Sequence, residues 1–116
     1  VLVIADVNIG NATAGYFTHV RLTRLVAGGS IVPIYIADAH SVRSSALSRN
    51  ANNQEITNVG PTYLDTHGAD GSTVVTYSVQ WRVEGQTGYL NRDSADTADT
   101  NYGRTASSIT VMEVAQ

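Results

Sequence analysis

The residues able to do chemistry are few and dispersed. The chain has three histidines, His19, His40 and His67. They form no His-x-His or His-Glu-x-x-His pair, so a metal site would need partners that the spacing does not supply. Asp93, Asp96 and Asp99 recur at every third residue in RDSADTADTN. Carboxylates clustered on a loop can hold calcium, but an EF-hand loop uses alternate positions, a central glycine and a terminal glutamate. All three are missing here, and a solvated polar loop is the better reading. As catalytic acids the three would share one loop instead of facing each other across a cleft, which glycoside hydrolysis requires. There is no Gly-x-Ser-x-Gly elbow for a serine nucleophile. Gly28-Gly29-Ser30 is followed by neither a lysine nor a helical pattern, so it is not a phosphate loop. Cysteine is absent, which removes thiol nucleophiles, disulfides and zinc knuckles. These residues predict no enzyme, no cofactor and no metal.

The charge balance narrows the partners. Net charge is −3, lysine is absent, and the seven cations are all arginines scattered along the chain. No basic cluster exists to track phosphates, so no nucleic-acid partner is expected. Apolar runs extend only a few residues, far below the ~20 that a membrane helix needs, so no membrane insertion is expected. VLVIADVNI, at residues 1–9, carries no charged leader and reads as a strand already under way. The chain therefore reads as a piece of something longer or a processed form.

The elements that must position these residues are strands. Apolar spacing at three and four residues is nowhere sustained, whereas Val, Ile, Thr and Tyr recur in short runs broken by Gly, Asn, Asp and Ser. In residues 1–9, Val1, Val3, Ala5, Val7 and Ile9 share one face, and Leu2 and Ile4 make the start of the other face apolar. In YFTHVRLTRLVA, Val20 and Leu22 point one way, and His19, Arg21 and Thr23 the other. Gly28-Gly29-Ser30 reads as a hairpin-type connection. It leads into IVPIYIADA, with Val32, Ile34 and Ile36 on one face and Pro33 marking an edge strand or bulge. The stretch Ser41 to Asn58 predicts a short strand around Val42 to Leu47 and then a long loop. A strand follows within 58–68, with Tyr63 and Val59 facing in. Residues 73–84 alternate most cleanly: Val75, Tyr77, Val79, Trp81 and Val83 against Thr76, Ser78, Gln80, Arg82 and Glu84. Trp81 is in register with Val79 and Val83, so core packing is expected rather than a sugar-stacking platform. YLNR reads as a paired strand after the Gly85–Gly88 turn. A polar loop then leads to a terminal strand. The sum is one all-β domain of seven or eight antiparallel strands at sandwich spacing.

The last third carries a resemblance. TVVTYSVQWRVEGQTGYLNR, an acidic gap, and YGRTASSITVMEVAQ resemble the C-terminal domain of bacteriophage tail-fibre and related virion surface proteins. The matching residues are Thr76 to Trp81, Tyr89 to Arg92 and Ala106 to Val114. LVIADVNIG and Arg21 to Arg24 are similar to that group's earlier strands. The resemblance implies an antiparallel β-sandwich of jelly-roll type, a homotrimer at the outer end of a fibre or spike on the virion surface. It implies other virion proteins as partners, and additional strands upstream of the stretch matching Val1.

The same resemblance implies recognition of a host-cell surface glycan or protein. Loops carry such contacts more often than strands, here Asn50 to Glu55, His67 to Ser72 and Asp93 to Tyr102. The candidate receptor-binding residues are Asn52, Asn53, His67, Asp70, Asp96 and Tyr102. The alternative is a structural capsid-decoration or fibre-assembly protein with no receptor of its own. A depolymerase would need a carboxylate pair in a groove and is disfavoured. Finally, Ile109, Val111 and Glu113 share one face of the last strand, and Thr110, Met112 and Val114 the other. Two mixed faces predict an interior strand over residues 109–114 near a trimer interface, with Glu113 meeting Arg21, Arg24 or Arg82; a surface-exposed glutamate at a fraying end is the plainer alternative.

Overall fold

A computed structural model describes residues 1–13, 15–36, 47–50, 55–100 and 103–114, with 47–50 described through their backbone. Among the described residues the structure is all strand and irregular segments, with no helix. No helix is therefore long and apolar enough to cross a membrane. The strands are β1 (Leu2–Asn11), β2 (Phe17–Val26), β3 (Val32–Pro33), β4 (Leu47–Asn50), β5 (Ile56–Val59), β6 (Thr62–Leu64), β7 (Val75–Val83), β8 (Gly88–Leu90) and β9 (Ser108–Met112).

Two long strands organise two antiparallel sheets. In the first, β1 is central. One edge is β6 and β5, which keep a single register through Gly60-Pro61: Leu2 faces Leu64 and Val7 faces Val59. The Ala5 amide donates to the Pro61 carbonyl at 2.9 Å and bridges the break. The other edge is β9 beside Leu2–Asp6 and β8 beside Ile9–Asn11. In the second sheet β2 is central, with β7 along one edge and the short β3 and β4 along the other.

Alternation decides what lies between the sheets. Val3, Ala5, Val7 and Ile9 from β1 meet Val20 and Leu22 from β2, with Ile34 and Val59 completing the buried cluster. Tyr35, Tyr63, Tyr77 and Val79 pack around it, and the Tyr35 and Tyr63 rings sit 5.7 Å apart. The inward faces read from β1, β2 and 58–64 are therefore the ones that make the sandwich core.

Several expectations need correction. The strand expected across 31–39 stops at Pro33: Ile34 is buried, but Val32 is 45 % exposed and Ile36 62 %. Proline has no N–H to continue the ladder, and the Ile34 amide makes the last bond, to the Leu22 carbonyl at 3.1 Å. Of the short strand expected around Val42 to Leu47, residues 42–46 lie outside the described residues; the described strand there is Leu47–Asn50. YLNR does not form a hairpin with β7. The chain crosses to the other sheet at Gly85–Thr87, and β8 pairs with β1.

Trp81 is not core: it is 39 % exposed. β7 is the outer strand of its sheet, and a Cβ at Gly88 would lie 2.7 Å from the Trp81 ring. The ring lies over Gly88, where only a glycine leaves room for it. Among the described residues the terminal strand is an edge of its sheet rather than interior: β9 has one ladder partner, β1, and every one of its residues is exposed. Among the described residues Glu113 is exposed and forms no ion pair with Arg21, Arg24 or Arg82. Arg21 and Arg24 bind Gln80 and Asp65.

Candidate functional site

The open end of the sandwich, where β1 starts and β2 ends, holds a groove of about 960 Å³. Its walls are Val75 and Tyr77 from β7 on one side, and Val111, Glu113 and Val114 from β9 and beyond on the other. Residues 64–71 and Thr73 close one side, and Val1 lies at the base. The groove exists because the two sheets end here in β7 and β9, which belong to different sheets and share no ladder.

Asp65 and Tyr77 line its floor with Arg24 behind them, a polar trio that alternation turns inward. Arg24 continues the face of Val20 and Leu22. Tyr77 stands directly opposite Arg24 in the ladder. Asp65 continues the face of Tyr63 one residue past β6, held by its amide to the Val1 carbonyl at 2.8 Å. The Arg24 Nη1 donates to both Asp65 oxygens, at 2.8 and 2.9 Å, and the Tyr77 hydroxyl donates to Oδ2 at 2.9 Å. Asp65 is 4 % exposed. A carboxylate this enclosed persists only because a cation and a donor satisfy it.

Burial, and then the hydrogen bond to the Asp65 carboxylate, push the Tyr77 hydroxyl up to about 12 from its ordinary 10.0. A folded-state pKa above the unfolded value means that the contribution is complete below pH 10.0 and fades as pH rises toward about 12. Over that window the unfolded chain loses its proton while the folded one keeps it. Tyr77→Phe is expected to flatten the alkaline fall in stability between these pH values, measured by urea unfolding at a series of pH. An unchanged pH profile would contradict the role assigned to this hydroxyl.

Two of the predicted receptor residues line the groove, His67 and Asp70. Asp70 organises its loop: Oδ1 accepts from the Ser72 amide at 3.1 Å, the Ser72 hydroxyl at 2.8 Å and the Thr73 hydroxyl at 2.8 Å. The Thr73 and Ser72 hydroxyls lead in holding this carboxyl below its ordinary range, so it stays charged at neutral pH. The Ala69 amide donates to His67 Nδ1 at 3.0 Å. Neutral His67 then carries its proton on Nε2, as a donor.

Asp96 stands at the other end of β1. Its Oδ1 accepts from Arg104 Nη2 at 2.7 Å, and its Oδ2 lies 3.2 Å from Arg92 Nη1. Asp93 is buried beneath it, accepting the Ala95 and Asp96 amides at 2.8 and 3.0 Å. The acidic loop is solvated from Asp96 to Thr100, as expected, and is also tied down by Arg92, Arg104 and the Asp93 turn. Asn52, Asn53 and Tyr102 lie outside the described residues. The structure thus gathers His67 and Asp70 into one groove and separates Asp96 from them by about the length of a ten-residue strand, roughly 30 Å.

Sequence reading missed the trio. Its signal was present: Arg24 and Asp65 both fall on inward positions, where a charge needs a partner. Among the described residues no group of three or more His, Cys, Asp or Glu is placed to hold a metal. No protein-family model, no curated protein and no solved structure matches the chain.

Proposed function

We propose that the chain is a non-enzymatic surface module of a bacteriophage virion. In this reading it is a jelly-roll-type sandwich that assembles as a homotrimer and binds a host-cell surface glycan or protein through its loops. The motif order over residues 76–114 supports the reading. The structural observation that carries it is an apolar stripe on the outer face of the first sheet. Leu2 sits between Leu64 and Met112 across two ladders, with Ile4 one step along and Val114 beyond. Leu64, Met112 and Val114 are 57, 43 and 50 % exposed. Contiguous apolar surface of this kind marks an interaction face, and a closed cyclic assembly hides it without open-ended growth.

Size exclusion with light scattering at micromolar concentration is expected to give a trimer, and Met112→Glu a monomer. A monodisperse wild-type monomer would remove the assembly from the proposal. Recognition is assigned to the loops, with His67 Nε2 and the charged Asp70 as hydrogen-bonding groups for sugar hydroxyls. Glycan-array binding is expected to disappear when His67 to Ser72 is replaced by Ala and Gly. Binding that survives this replacement would remove the loop from the reading.

The apolar stripe serves a structural capsid-decoration or fibre-assembly role equally well. A trimer that occupies the particle but retains no glycan or cell-surface protein would favour that role.

A further inference from the structure

We propose that the groove between β7 and β9 accepts an extended peptide strand of a different chain, apolar along one face and carrying Arg or Lys where it meets Glu113. This goes beyond receptor binding by the loops and holds or fails separately from it.

The backbone argues first. β9 bonds only to β1, and β7 only to β2, among the described residues. On the opposite side of the sandwich β4 and β5 come close, and β7 and β9 also approach each other, but no ladder joins β7 to β9 among the described residues. An edge strand leaves alternate N–H and C=O groups unpaired, and strand addition satisfies them.

Side chains argue next. Val111 and Ile109 are at inward positions, facing Val3 and Ala5 across the ladder. Those partners are buried, yet Val111 is 47 % and Ile109 41 % exposed. These β-branched residues occupy core positions that lack an opposing layer. A strand of about five or six residues, roughly 17–20 Å long, matches the five residues of β9.

Charge selects the occupant. Asp65, Asp70 and Glu113 line the groove, and no Lys or Arg side chain does. Asp65 is already matched by Arg24; Asp70 and Glu113 are exposed. The chain's net charge is −3, so a second copy offers a poor complement, whereas a basic and apolar strand fits both wall and rim. Running antiparallel to β9, such a strand would begin beside Glu113, which places its cations at its N-terminal end.

The test uses a fluorescein-labelled peptide of about nine residues, with arginines at its N-terminus followed by alternating valine and threonine. Saturable binding by fluorescence anisotropy is expected, with slowed hydrogen exchange in β9 residues Ser108–Met112. Glu113→Lys is expected to weaken binding about tenfold and to favour a matched peptide with N-terminal glutamates. Glu113→Lys also separates the two proposals, because it weakens peptide binding while glycan binding through His67 to Ser72 is expected to stay unchanged. The proposal is overturned by absent saturation, by protection that leaves β9 unchanged, or by indifference to Glu113→Lys. It is overturned too if, in the Met112→Glu variant expected to be monomeric, β9 becomes protected as protein concentration rises without peptide, which identifies a second copy as the occupant. A glycan that protects β9 in place of the peptide has the same consequence.

Discussion

Asp65→Ala is expected to lower stability by about 3–5 kcal/mol, because it strands a charge inside the sandwich. The wild-type carboxylate accepts from Arg24 with both oxygens and from the Tyr77 hydroxyl with one. Its removal leaves the guanidinium without its counter-ion and the phenol without an acceptor. The Arg24 side chain retains 20 % exposure, so some water can reach it, and the loss should fall toward the lower part of that range. Domains of this kind are held by only about 5–15 kcal/mol, so even the lower figure is a large fraction of the total. The measurement is a urea midpoint that falls while the slope of the transition stays constant. Asp65→Asn keeps an acceptor without the charge and should lie between wild type and alanine. The paired replacement Asp65→Leu with Arg24→Met removes both charges together and should recover much of the loss, as apolar substitutes for buried ion pairs do. If the pair were as unstable as Asp65→Ala alone, the unbalanced arginine could not be the cause.

The trio also shows how far the sequence reaches. Strict alternation made the inner faces of β1, β2 and β7 readable, because a period of two leaves no freedom about which side faces in. The same rule turns Arg24 inward with Val20 and Leu22, but it does not say which acid comes to meet it. Asp65 lies 41 residues away, and only the packing of two sheets brings the two together. Partner choice was the general blind spot. β8 alternates as a strand in any pairing, and nothing local reveals that it leaves β7 for β1. β9 carries apolar side chains on both faces, a pattern shared by interior strands and by edge strands awaiting a partner. Trp81 followed the inward period correctly; that its ring lies over Gly88 on the facing sheet is something no reading of β7 alone contains. His67 and Asp70 were readable as loop residues, since His67-Gly68 and Asp70-Gly71 are turn sequences. That they rim a groove depends on the distant β9.

Gly10→Ala is expected to cost about 2–3 kcal/mol, although Gly10 sits within a regular strand where alanine is ordinarily preferred to glycine. Conformation is not the reason, because its φ is not in the left-handed region. Space is: a Cβ there would collide with the Arg92 carbonyl oxygen and lie 3.2 Å from the Asp93 Cα. Both are backbone atoms, which cannot rotate away as a flexible side chain could. The insertion must therefore push the Arg92–Asp93 segment off β1, and overpacking of this kind typically costs 1–3 kcal/mol. The damage should spread in a defined direction. β8 pairs with Ile9, Gly10 and Asn11, and the turn that follows is fixed by Asp93, 2 % exposed, accepting two amides. Hydrogen exchange at Ala95 and Asp96 should accelerate in Gly10→Ala, while β7 and the Asp65 trio at the far end remain protected. Gly71→Ala is the matched control: nothing lies within 4 Å of its added Cβ and its φ is ordinary. It should stay within about 0.5 kcal/mol of wild type. Were Gly10→Ala equally neutral with unchanged exchange at Ala95 and Asp96, the close approach of Arg92 to β1 would not be a fixed feature of the fold. The Asp96 arginine clamp would then have to be held by something other than β8.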